Sequence, residues 1–171
     1  MRFIVLIVAL LISTTALAQT KPKLFVADRI YSVNFGTDKP RVLRDTLQGQ
    51  NGNADRATYV VEKGPVMRML GTMAPQGGMA SDDGEAYFDS MIDSLKNGMP
   101  NMRIVTNKSR MDGAYHGREM EATNSQVTIV ARMFVTHKGL VFAQAAFPNQ
   151  STTGRASASA FLSSLTITSG Q

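Results

Sequence analysis

The chain has 171 residues, with 18 lysines and arginines against 13 aspartates and glutamates, two histidines, no cysteine and no tryptophan. Without cysteine there is no disulfide framework, thiolate zinc site, cysteine nucleophile or thiol for a lipid anchor. Apolar residues at 43% and charged residues at 18% describe a globular chain and exclude a disordered one. One domain of this length buries roughly 70% of its unfolded surface and needs no metal or covalent staple.

Residues 1–18 read as a cleaved signal peptide. Arg2 supplies a positive start, and Phe3 to Ile12 is an unbroken apolar run of ten residues. Ser13-Thr14-Thr15 turns polar ahead of Ala16-Leu17-Ala18, the small-x-small pattern of signal peptidase, which places cleavage between Ala18 and Gln19. A membrane anchor is the rival reading. Ten residues of helix reach only about 15 Å, against a hydrocarbon core of about 30 Å. The expected location is therefore the periplasm or the secreted medium, with no stable membrane span after cleavage. Removing Arg2 lowers the formal charge from +5 by one. The remaining basic residues are scattered, which argues against nucleic acid as a partner.

Gln19 to Asp28 is polar and reads as a flexible lead-in to a single domain over residues 29–168. Tyr31, Val33 and Phe35 alternate with Ser32 and Asn34, the period of a strand with one face inward. Arg41 to Leu47 reads as a second strand with Leu43 and Leu47 inward. Asn51-Gly52 then signals a hairpin turn, because both residues tolerate positive φ. Thr58 to Val61 returns, and Val66 to Met73 continues in extended form beyond Gly64-Pro65.

The spacing predicts a helix over 81–98. Asp82 is the expected N-cap with Glu85 three residues on, and Phe88, Met91, Ile92 and Leu95 form its buried stripe. Asn97-Gly98 would close it, with glycine in the left-handed conformation. Short strands follow near Met102 to Thr106 and Tyr115 to Ala122. Val127 to Thr136 and Leu140 to Phe147 make the clearest hairpin, joined by His137-Lys138-Gly139. Val127, Ile129, Met133 and Val135 point one way while Val130 and Phe134 point the other, so both strands are expected at the centre of a sheet covered on both sides. A last helix over 152–164, capped by Ser151, would present Ala158, Phe161, Leu162 and Leu165. Together these elements predict an α+β fold, a three-layer α/β/α sandwich around a mainly antiparallel sheet.

The segments "YSVNF", "DDGEAYFDSMIDSL", "YHGREMEA", "VTIVARMFVTHKGLVFAQAAFP" and "FLSSLTI", in that order, resemble the PsbP-like superfamily, including its exported DcrB-like bacterial members. The likeness spans roughly 30–167. It implies an α/β/α sandwich and a non-catalytic accessory, assembly or binding role, and it brings no active site with it.

No residue carries a catalytic, cofactor-binding or metal-binding signature. There is no Gly-x-Ser-x-Gly elbow, no Ser-x-x-Lys set and no His-Glu-x-x-His. His116, Glu119 and Glu121 lie close in sequence, yet on a strand the two carboxylates share one face and the histidine takes the other. Ten methionines follow the signal segment, nine of them between Met67 and Met120; their spacing follows strand and helix faces, as core packing does. Lys108, Arg110, His116 and Arg118 are the candidate surface for an anionic partner, protein or small molecule, provided that the strands around them return side by side. The expected role is a non-catalytic binding or assembly protein of the cell envelope. An envelope hydrolase and a methionine-based Cu(I) carrier are the alternatives.

Overall fold

The computed structural model describes residues 24–49, 52–77 and 84–168. In chain order these form β1 (Phe25–Ala27), β2 (Tyr31–Val33), β3 (Arg41–Gly49), β4 (Gly52–Lys63), β5 (Val66–Pro75), α1 (Gly84–Gly98), β6 (Arg103–Asp112), β7 (Tyr115–Thr123), β8 (Val127–Thr136), β9 (Gly139–Pro148), α2 (Thr152–Ser163) and β10 (Thr166–Ile167). Seven strands make one antiparallel sheet in the order β3-β4-β5-β9-β8-β7-β6, and β1-β2-β10 make a second, small one. The signal segment, the cleavage site Ala18/Gln19, the turn residue Asn51 and the expected cap Asp82 lie outside the described residues. No helix among the described residues is long and apolar enough to cross a membrane.

The two strands that are apolar on both sides occupy the middle of the large sheet, β9 with three strands on either side and β8 next to it. On one face Phe134, Val141, Ala143, Ala145 and Phe147 pack with Leu70 against Ala158, Phe161 and Leu162 of α2 and Tyr31, Val33 and Phe35 of the β2 region. On the other, Ala131, Met133, Leu140 and Met120 meet Phe88 and Ile92 of α1. A smaller cluster of Met102, Ala122, Ile129 and Ala146 continues that second core toward the end of α1.

The helices do not form layers, so the expected α/β/α sandwich is wrong and the fold is β-rich. The described residues hold two helices against ten strands. Geometry explains why. Seven strands about 4.8 Å apart span about 29 Å, whereas one helix with its side chains is about 10 Å wide. A single helix therefore covers about two strands. On the α2 face the three-stranded sheet supplies the rest of the cover, and the outermost strands β3 and β6 are left largely exposed.

Other differences share this origin. Against the expectation that it faces inward, Leu43 is half exposed, because β3 is an edge strand. The lead-in read as flexible contains β1, whose Phe25 packs against Phe35 and Tyr59 with ring centroids 5.6 and 4.7 Å apart. Gly98 ends α1 without a left-handed turn; the positive φ falls on Asn101, at 58°. The last hairpin turns on His137 and Lys138 alone, since Thr136 already pairs with Gly139. By contrast α2 starts as its sequence indicates, with Ser151 Oγ accepting from the Gly154 amide at 3.0 Å.

One buried hydrogen bond ties the two sheets together. The Thr136 hydroxyl donates to the Gly139 carbonyl at 3.0 Å, so the Tyr31 hydroxyl donates to Thr136 Oγ1 at 2.7 Å. Burial pushes the Tyr31 phenol above its ordinary 10.0. A raised phenol favours the neutral, folded form: its stabilisation is complete below pH 10 and is lost as pH rises toward the folded value. Tyr31→Phe is expected to cost about 1 kcal/mol at neutral pH. Urea midpoints measured across the alkaline range should fall less steeply with pH in Tyr31→Phe than in the parent protein.

Candidate functional site

The outer end of the α2 face holds a cleft of about 260 Å³ between α2 and strands β6, β7 and β8. It exists because α2 lies over β9, β5 and β8 and stops short of β7 and β6. The strand register then decides which side chains line it. Lys108, Glu119 and Arg132 stand directly opposite one another on three neighbouring strands, and Thr106, Glu121 and Val130 form the next row. From α2, Arg155, Ser159 and Leu162 reach the cleft at i, i+4 and i+7, one face of the helix. Val130, Phe147 and Leu162 give it an apolar floor.

Its charges are ordered by one another. Glu119 Oε2 accepts from Arg132 Nε at 2.7 Å and from Arg110 Nη1 at 3.0 Å. Arg132 also donates through Nη1 at 2.9 Å to the Leu162 carbonyl near the C-terminal end of α2, which accepts from the Leu165 amide at 3.3 Å as well. Arg132 is thus a fixed post with only 17% of its side chain exposed. Arg155 grips both oxygens of Glu121 at 2.9 and 3.0 Å and lies 5.4 Å from the centre of the Phe147 ring. Such a planar two-point grip holds a carboxylate in a defined orientation.

The Arg155 hydrogen bonds hold the Glu121 carboxyl below its ordinary 4.5, against the opposing effect of burial. A lowered carboxyl stabilises the fold above pH 4.5, and that contribution is lost as pH falls through its folded value. Arg155→Ala should therefore raise the Glu121 titration midpoint toward 4.5, read from the side-chain carboxyl carbon by NMR.

Of the four cations expected to form one surface, the structure places two on the sheet face that holds this cleft, beside its lining residues. Lys108 and Arg110 stand on the α2 face. His116 and Arg118 project to the opposite face under α1, where Arg118 pairs with Glu85 and, at 3.1 Å, with Asp89. His116 Nδ1 is 3.5 Å from Glu85, and the Arg118 guanidinium lies 5.8 Å from the Phe88 ring centre. Alternation along the β6–β7 hairpin separates them: Arg110 faces Gly117, and Ser109 faces Arg118. Glu119 and Glu121 share the cleft face while His116 takes the other, which leaves that trio divided.

Arg132 and Arg155 were not singled out from the sequence. Each had a signal: Arg132 is the one charge in the apolar strand VTIVARMFVT, and Arg155 is the one charge in α2. Seven of the methionines pack the α1 face, while Met111 is exposed. Met102, Met120 and Met133 are buried, and Met67, Met73, Met91 and Met99 pack around them. Flexible thioethers suit the irregular space between one helix and a twisted sheet.

No protein-family model matches this chain, and no curated protein matches it.

Proposed function

We propose that the protein is an exported, non-catalytic binding or assembly protein of the cell envelope, and that the cleft beside α2 receives an anionic partner. The observation that carries this reading is the composition of the cleft face. Arg132 and Arg155 line the cleft over an apolar floor, and Lys108 and Arg110 stand beside it on the same sheet face, four cations against only two carboxylates, Glu119 and Glu121. Two positive charges remain in excess. Lys108 is exposed at the rim, positioned to meet a partner's carboxylate, while Arg132 and Arg155 are held in place by their own partners. Preset donors lose little freedom when a ligand arrives, which favours recognition. Export rests on the pattern of residues 1–18. The order of the sequence segments resembles that of PsbP-like proteins, which favours an accessory role, although the α/β/α sandwich that this resemblance implies is not the fold found.

The test is an NMR titration of the purified protein with a short polyglutamate peptide. Amide shifts should concentrate on β6, β7 and α2 and weaken as salt is raised. Lys108→Glu and Arg155→Glu should each abolish them in a protein that keeps its dispersed spectrum. Shifts confined to the α1 face, or none at any peptide concentration, would count against the reading.

A further inference from the structure

The two edges of the large sheet are built differently. β6 carries a register break between Ile104 and Thr106 and presents Lys108 and Arg110, devices that discourage another strand from adding to an edge. β3 has no such break, and its exposed charges are of both signs, Arg41 and Arg44 with Asp45, so that they can pair across an edge. It pairs with β4 in unbroken register from Arg41 to Gly49, contains no proline, and is exposed from Arg41 to Thr46. No described strand lies on its outer side. Val42 and Leu43 are 46% and 50% exposed on that edge, on opposite faces. A long, regular, partly apolar edge is a template for a further strand.

We propose that the strand it takes is β3 of a second copy of this chain, antiparallel and centred on Leu43. Two-fold pairing across a sheet edge keeps like faces together, so residues that meet must share a face. Centring on Arg44 sets arginine against arginine, and centring on Asp45 sets aspartate against aspartate. Centring on Val42 sets Pro40, which has no N–H, opposite Arg44 close to the axis, whereas centring on Leu43 moves it one pair further out, opposite Thr46. Leu43 at the axis gives a different result. Leu43 meets its own copy, Val42 meets the aliphatic stem of the partner's Arg44, and Arg41 meets the partner's Asp45, twice over by symmetry.

The neighbouring charges support that register. Asp45 already accepts from Arg56 on β4 at 2.5 and 2.8 Å, and Arg41 lies 3.9 Å from Glu62. All four side chains stand on one face. Across the junction they alternate as Arg56, Asp45, the partner's Arg41 and the partner's Glu62. A carboxylate has acceptor sites enough for two guanidiniums, and opposite charges set directly across strands are favourable. The junction lies at the far edge of the sheet from the cleft beside α2. A pair of chains would therefore present both clefts on the same side, and a partner with two anionic segments would gain from simultaneous engagement.

Sedimentation equilibrium of the purified protein tests this. The parent should dimerise reversibly with concentration. Leu43→Lys should sediment as a monomer with an unchanged thermal midpoint, and Val42→Lys provides a second variant of the same exposed edge. Arg41→Asp alone and Asp45→Arg alone should each weaken self-association by about tenfold or more, because each sets like charges opposite one another twice. Mixing those two variants should restore a dimer, since each then supplies the charge that the other lacks. A parent that stays monomeric up to about 1 mM, a dimer that survives Leu43→Lys, or charge variants that fail to recover on mixing would overturn the proposal.

Discussion

Phe134→Asp should leave the protein unfolded at room temperature. Phe134 sits in β8 near the middle of the large sheet, 2% exposed, in the core shared by α2 and the small sheet. Its ring covers Gly117 on the neighbouring strand so closely that a Cβ there would meet ring atoms at 2.4 and 2.9 Å. The substitution removes a large aromatic side chain, a loss of about 3–5 kcal/mol even when the replacement is alanine. It also places an unpaired carboxylate in an apolar interior, which costs several kcal/mol more or forces the group to stay protonated. A domain of this size has roughly 5–15 kcal/mol in total. Loss of near-ultraviolet circular dichroism and of the thermal transition is the expected result. Phe134→Leu, which keeps the site apolar, should retain a cooperative transition at a lower midpoint.

Gly139→Ala should be among the costliest methyl groups added at the described glycines. Gly139 opens β9 with φ at +124°, a conformation that side chains rarely adopt. A Cβ there would meet the Met73 carbonyl oxygen at 2.1 Å and backbone atoms of Met73 and Ala74 at 3.1 Å. Those are backbone atoms of a paired strand, with no flexible end to swing aside. Strain of about 1–2 kcal/mol from the backbone and about 1–3 kcal/mol from overpacking suggests a loss of about 2–5 kcal/mol. Gly98→Ala is the matched control. Gly98 has no positive φ, and a Cβ there would meet nothing within 4 Å. The gain expected from a stiffer unfolded chain is about 0.4–1 kcal/mol. Denaturant melts of the two variants should move in opposite directions.

What the sequence made legible was local order and the middle of the sheet. The two-faced apolar runs of β8 and β9 identified the central strands, because a strand with one wet face shows alternation. The i, i+3, i+4, i+7 stripe at Phe88, Met91, Ile92 and Leu95 marked α1, and Ser151 marked the start of α2. Cover was not legible. Leu43 and Leu47 have the same period whether the face beyond them is filled or bare, and nothing local records that β3 is an edge. β1 and β10 are too short to announce themselves, yet they supply the cover that was assigned to a second helical layer. Without them the layer argument led to a sandwich that two helices cannot build.

The cleft was half legible for a similar reason. Alternation correctly separates His116 from Glu119 and Glu121. The same rule, applied across the β6–β7 hairpin, would have separated Arg118 from Lys108 and Arg110. That step needs the register between strands, which the turn between Asp112 and Tyr115 sets for Lys108 and Arg110. Arg132 and Arg155 come from elements distant in sequence, and only the sheet order and the placement of α2 bring them to Glu119 and Glu121.

β8 and β9 form a rigid centre that holds the charged cleft at one end of the sheet. Native-state hydrogen exchange measures this most directly. Amides of β5, β9 and β8 should exchange only through global unfolding, and their rates should track the denaturant-measured stability. Amides on the outward side of β6 should exchange orders of magnitude faster. Central-strand amides that exchange as readily as those of β6 would contradict the account.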